Sequence, residues 1–192
     1  MRKAKFFIAL GVLLVMSATT AQAQAEKKVQ FDAYGAYVIP TGDFADETMG
    51  FKAGFGFGAA LGYYVTPAVV IAANFNMGML TGRIQLGDET NDVNLMNYFA
   101  TIGYDFMAMS PNMSFAAYVG GGLQVFSPSG ASTGDSQSNF AANGGLKYNY
   151  WFSPSVGLLL QPAITWAFVS EEDFGYSSVI TFPLAAGLSF KF

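Results

Sequence analysis

The chain has 192 residues, with 13 Asp and Glu against 9 Lys and Arg, a net charge of −4, and neither His nor Cys. Disulfides and a Cys-linked lipid anchor are excluded, and so are Ser-His-Asp, Cys-His and histidine–zinc chemistry. Hydrophobic residues make up 52% and charged ones 11%, where about 25% charged is ordinary for a soluble domain.

The chain starts "MRKAKFFIALGVLLVMSATTAQAQA". Arg2, Lys3 and Lys5 are followed by an apolar run from Phe6 to Met16 and by small residues ending in Ala21-Gln22-Ala23. That order is the pattern of a secretory signal peptide, and the run is short of the ~20 residues that a spanning helix needs. Residues 1–23 are expected to be the signal peptide and 24–192 one domain; Ala23-Gln24-Ala25 would serve as the cut equally well.

Downstream, apolar residues recur at every second place, as in strands with two unlike faces. Phe31, Ala33, Tyr37 and Ile39 alternate with Gln30, Asp32, Tyr34 and Val38. Phe55, Phe57, Ala59, Leu61 and Tyr63 alternate with glycines and Ala60. Ile71, Ala73, Phe75, Met77 and Met79 stand opposite Asn74, Asn76 and Gly78. Met96, Tyr98, Ala100, Ile102, Tyr104 and Phe106 stand opposite Asn97, Thr101 and Asp105. Phe115, Val119, Leu123 and Val125 oppose Tyr118 and Gln124; Phe140, Leu146, Tyr148 and Tyr150 oppose Asn143, Lys147 and Asn149. Val156, Leu158, Leu160, Ile164, Trp166 and Phe168 oppose Gln161 and Thr165. The last run, "ITFPLAAGLSFKF", sets Ile180, Phe182, Leu184, Leu188, Phe190 and Phe192 against Thr181, Ser189 and Lys191.

These runs predict eight strands, each as long as a tilted membrane crossing of about 9–11 residues or slightly longer. "VTPA", "MSPN" and "FSPS" are short Pro-bearing turns; 40–50, 81–92, 127–138 and 170–177 are longer polar loops. Short turns at one end and long loops at the other describe a transmembrane barrel. Tyr63, Tyr64, Tyr104, Phe106, Tyr150, Trp151, Phe152 and Phe192 fall near the turn end. Tyr37, Phe75, Phe126, Phe140, Trp166 and Phe168 fall near the loop end. Both sets are expected at the water–lipid boundaries. A soluble barrel would need this aromatic volume inside an eight-stranded lumen, which ordinary side chains already fill.

The fold expected is therefore all-β, an eight-stranded antiparallel up-and-down transmembrane β-barrel. The final Phe192 with its alternating tail, the first loop "IPTGDFAD" and the stretch "GFGFGAALGYYVTP" resemble the small eight-stranded outer-membrane β-barrel family of the OmpA/OmpX type, from about residue 26 onward. The resemblance implies a place in the cell outer membrane, among its lipid and lipopolysaccharide. It also implies that Phe192, with Phe190, is a sorting signal read by the barrel-assembly machinery. Lipid-A-modifying barrels of this size depend on His, which this chain lacks. No enzyme activity, cofactor or nucleic-acid partner is expected.

The remaining candidates are charges and prolines. Asp32, Asp105, Lys147 and Lys191 carry the inward parity near the turn end and are expected to pair into a floor of salt bridges, because lone buried charges are costly. Asp43, Asp46, Glu47, Asp88, Glu89, Asp92, Glu171, Glu172 and Asp173 gather in three loops, as weak divalent-cation sites or a surface for a partner. Pro162 and Pro183 interrupt the last two strands, where a bulge is expected and a lateral gap is the alternative. Function is thus read as envelope support and surface interaction through acidic loops, with a narrow pore or lateral conduit for small or apolar solutes as the alternative.

Overall fold

The computed structural model describes residues 28–45, 50–82, 85–86, 89–108, 110–130, 136–170 and 178–192, and the predicted signal peptide lies outside them. The strands are β1 (Val29–Thr41), β2 (Gly54–Tyr64), β3 (Val69–Leu80), β4 (Gln85–Leu86), β5 (Glu89–Asp105), β6 (Met113–Gly130), β7 (Gln137–Trp151), β8 (Val156–Phe168) and β9 (Ser178–Lys191). A 3₁₀ turn, Gly42–Ala45, follows β1. The strand order is β3-β2-β1-β9-β8-β7-β6-β5-β4, and pairing of β3 with β5 closes the sheet. β4 only forms a small hairpin with the start of β5. Eight strands therefore build the wall, all antiparallel to their neighbours.

Two strands run further than the apolar alternation. β5 begins at Glu89 and β6 ends at Gly130, with Asn91 facing Gly130 in register. Parts of the predicted loops 81–92 and 127–138 are thus ladder. The hydrophobic pattern marks the stretch that lipid touches, whereas backbone bonding continues past it.

The outward face is the apolar one. Phe55, Phe57, Leu61, Ile71, Ile102, Val119, Leu123, Leu158, Leu160 and Leu184 are exposed, while Gln30, Asp32, Asn97, Gln124, Asn149, Gln161, Thr165 and Ser189 are buried. This is the reverse of a soluble barrel, and it suits a wall solvated by lipid. Aromatic rings pair along the outward rims, as in Tyr104–Phe106 and Trp166–Phe168, both at 5.3 Å. Three of the predicted rim aromatics point inward instead. Trp151 and Phe126 are buried, and the Tyr64 hydroxyl donates to Gln30 inside the lumen.

Two of the short turns use one device. Thr66 Oγ1 accepts the N–H groups of Ala68 and Val69, and Ser153 Oγ accepts those of Ser155 and Val156. A hydroxyl residue followed by Pro thus satisfies the turn's own donors.

The prolines open the ladder without shifting it. Pairing of β8 with β9 runs to Pro162↔Leu184 and resumes at Thr165↔Thr181 in the same register. Pairing of β7 with β8 stops at Gly145↔Ala163 and resumes at Tyr148↔Leu160. An added bulge residue would have changed the register. The expected bulge is therefore absent, and a short unladdered seam crosses β7, β8 and β9.

Candidate functional site

The lumen is built in three layers. At the turn end the Asp32 carboxylate is nearly inaccessible and meets three polar side chains at once. Lys147 Nζ lies 2.6 Å from its Oδ2. Gln30 Nε2 donates to Oδ1 at 2.8 Å, and the Ser189 hydroxyl donates to the same oxygen. Asn149 completes the group, 2.8 Å from Ser189 Oγ. A hydroxyl has one proton to give, and the carboxylate takes it. The Asn149 amide must then present its N–H₂ side to Ser189. A buried carboxylate held by two neutral donors and a cation has its desolvation offset.

The other two predicted floor charges behave differently. Asp105 Oδ1 accepts the backbone N–H groups of Met107 and Phe115 and so ties the turn after β5 to the start of β6. The Lys191 ammonium lies 4.2 Å from the Trp151 ring and 5.3 Å from that of Tyr64, within range for attraction to an aromatic face. Lys147–Asp32 is thus an ion pair of the floor, set within a polar and aromatic cluster to which Lys191 and Asp105 also belong.

In the middle layer Gln161 donates to the Tyr118 hydroxyl at 2.7 Å, and Gln124, Asn97 and Asn76 hand amide bonds across β6, β5 and β3 at 2.8 and 2.7 Å. Tyr34 turns into the lumen here and is buried. A methyl group on Gly58 would stand 2.5 Å from the Tyr34 ring, so this inward glycine is room for a tyrosine rather than open channel. Cavities of about 20 Å³ lie beside Tyr118 and Gln161, each with room for a single water.

The outer layer is apolar. Val38, Leu80, Val93, Leu95, Phe126 and Val179 turn inward near the loop end and share one buried cluster with Phe44. Phe44 is carried on the 3₁₀ turn, is 2% exposed, and lies 4.7 Å from the Phe51 ring and 6.2 Å from that of Phe126. Gly42, at φ 62°, turns the chain into the mouth, a conformation that L side chains adopt only with strain. Phe44 is the stopper of the lumen. Its signal in the sequence is an apolar ring directly behind a Gly-Asp pair in an otherwise polar loop.

Most of the acidic loop candidates, Asp46, Glu47, Asp88, Glu171, Glu172 and Asp173, lie outside the described residues, as does the side chain of Glu89. Asp43 is exposed, and Asp92 Oδ1 accepts the Gly82 N–H at the base of its loop. No metal-binding group of three or more ligands occurs among the described residues. Phe192 lies on the lipid side, and its backbone bonds in both directions with Val29. The Phe190 ring lies 6.4 Å from that of Phe31, tilted by 30°.

The sequence profile of the outer membrane protein beta-barrel domain matches residues 10–191. No curated protein matches the chain. Among solved structures it is similar to the Neisserial surface protein A, with 18% identity, a TM-score of 0.59, and 85% of this chain and 97% of that one covered. It is also similar to OprG of Pseudomonas aeruginosa, at 15% identity and a TM-score of 0.58 over 89% of this chain and 99% of that one. The N-terminal β-barrel domain of OprF from the same organism matches at 16% identity and a TM-score of 0.55, over 88% of this chain and all of that one. At these identities the likeness is one of fold.

Proposed function

The chain belongs to the outer membrane protein beta-barrel domain family, and from that premise we propose that it is a sealed, non-enzymatic outer-membrane barrel that supports the envelope and meets partners through its acidic outer loops. The observation that carries this reading is the filled lumen, with a salt-bridged floor, a tyrosine-filled waist and a phenylalanine stopper. Such a barrel passes no resolvable ion current in a planar bilayer.

The loops are the surface left for interaction. Close-set carboxylates repel unless a cation or a basic partner lies among them. Millimolar Ca²⁺ or Mg²⁺ is expected to protect the loops from protease, with an affinity near 10⁻⁴–10⁻³ M. Changing Glu171, Glu172 and Asp173 to amides should weaken that protection. Equal cleavage with and without the ions would reduce the clusters to a solvated surface.

Phe192 and Phe190 are proposed as the contact for the barrel-assembly machinery. Phe192→Ser is expected to lower the amount of heat-modifiable folded barrel recovered from outer membranes. Wild-type amounts would remove the sorting role.

A second reading, a lateral conduit for small apolar solutes, is favoured by the unladdered seam at Pro162 and Pro183. Ile164→Cys with Phe182→Cys would set two thiols opposite each other within that seam. If their cross-linking leaves uptake of an apolar dye into loaded vesicles unchanged, the seam carries no traffic.

A further inference from the structure

The inward face of a transmembrane barrel is ordinarily polar, yet the outer end of this lumen is apolar from several strands at once. Leu80, Leu95 and Val179 belong to the wall, whereas the ring that clusters with them, Phe44, belongs to a loop turn entered through Gly42. The wall can therefore stay in place while its occupant leaves.

Beneath this wall two buried polar atoms lack partners. Gln124 is 0% exposed and spends its N–H₂ group on Asn97, leaving Oε1 without a bond. Asn139 faces Gln124 in register, and its Nδ2 also has no partner. An orphan acceptor and an orphan donor thus sit on adjoining strands at the edge of the apolar layer. Phe126 lies two residues from Gln124 on the same face, and Ala141 lies two residues from Asn139; both belong to that layer. Unpaired buried polar groups are rare and call for an explanation.

We propose that the outer end of the lumen binds a small molecule with one apolar ring and one hydroxyl group, with phenol as the simplest probe, in the space that Phe44 fills. The hydroxyl donates to Gln124 Oε1 and accepts from Asn139 Nδ2, so one small group answers both needs. The ring takes the apolar contacts that Phe44 gives up. A hydrocarbon would satisfy neither polar atom, and a carboxylate, which has no proton to donate, would set acceptor against acceptor at Gln124 Oε1. Phe44 is then an internal competitor, and apparent affinity is reduced by the fraction of time it occupies the site.

The test is a titration of the full barrel in lipid nanodiscs, read by NMR on the methyl groups of Leu80, Leu95 and Val179 and on the side-chain amides of Gln124 and Asn139. Phenol should shift both sets saturably, and toluene should bind at least about tenfold more weakly. Phe44→Ala should raise phenol affinity at least about tenfold, and Gln124→Leu should bring phenol down to the level of toluene. Should Phe44→Ala fail to fold, Phe44→Leu serves in its place with a smaller gain. The proposal is overturned if phenol gives no saturable shift in either wild type or the Phe44 variant. Equal binding of phenol and toluene, or amide signals that respond only to water, would overturn it as well.

Discussion

Lys147→Met is expected to destabilise the refolded barrel by about 3–5 kcal/mol, the usual cost of leaving one member of a buried ion pair without its partner. The Asp32 side chain is 2% accessible and that of Lys147 15%, so the lower end of that range applies. Asp32 would keep the Gln30 and Ser189 bonds but lose the Lys147 ammonium. The double change Asp32→Asn with Lys147→Met should cost less than Lys147→Met alone, because no uncompensated charge remains. Urea unfolding in detergent measures both. An unchanged midpoint for the single variant would mean that water reaches Asp32 and that the floor is open.

Phe44→Ala is expected to cost about 3–5 kcal/mol at the outer end, the range for removing a buried phenylalanine ring. The loss should be local. The loop after β1 should be cut faster by protease, while the β8–β9 and β1–β9 ladders keep their amide protection. Phe44→Leu should recover most of the difference, since it refills much of the volume. If the alanine variant shows wild-type cleavage in that loop, Phe44 is not what holds the mouth shut.

The wall was legible because lipid imposes a period of two on every crossing. Phe31 and Phe55 declare their side as soon as Asp32 and Gly54 declare the other. The same rule would have placed the misread aromatics. Trp151 shares parity with Lys147 and Asn149, Phe126 with Gln124, and Tyr64 with Gly62, and all three turn inward. Aromatic type suggested the boundary, but parity decides the face. The seam was less legible. A missing donor at Pro162 or Pro183 signals a disturbed ladder, yet a bulge and a gap differ only in the register beyond it, which depends on both strands. Phe44 was least legible, because a loop residue has no period. Only its neighbour Gly42 hints that the chain turns inward. The floor lies between these cases: the four charges were placed at one end by parity, while the choice of Asp32 for Lys147 and of Trp151 for Lys191 depends on side-chain reach across the lumen.

The most direct test of a sealed lumen is the current through single wild-type barrels in a planar bilayer at molar salt. A filled waist and two closed ends predict a baseline indistinguishable from protein-free membrane over the normal voltage range. Long-lived, discrete openings of uniform size in the wild-type protein would contradict the account.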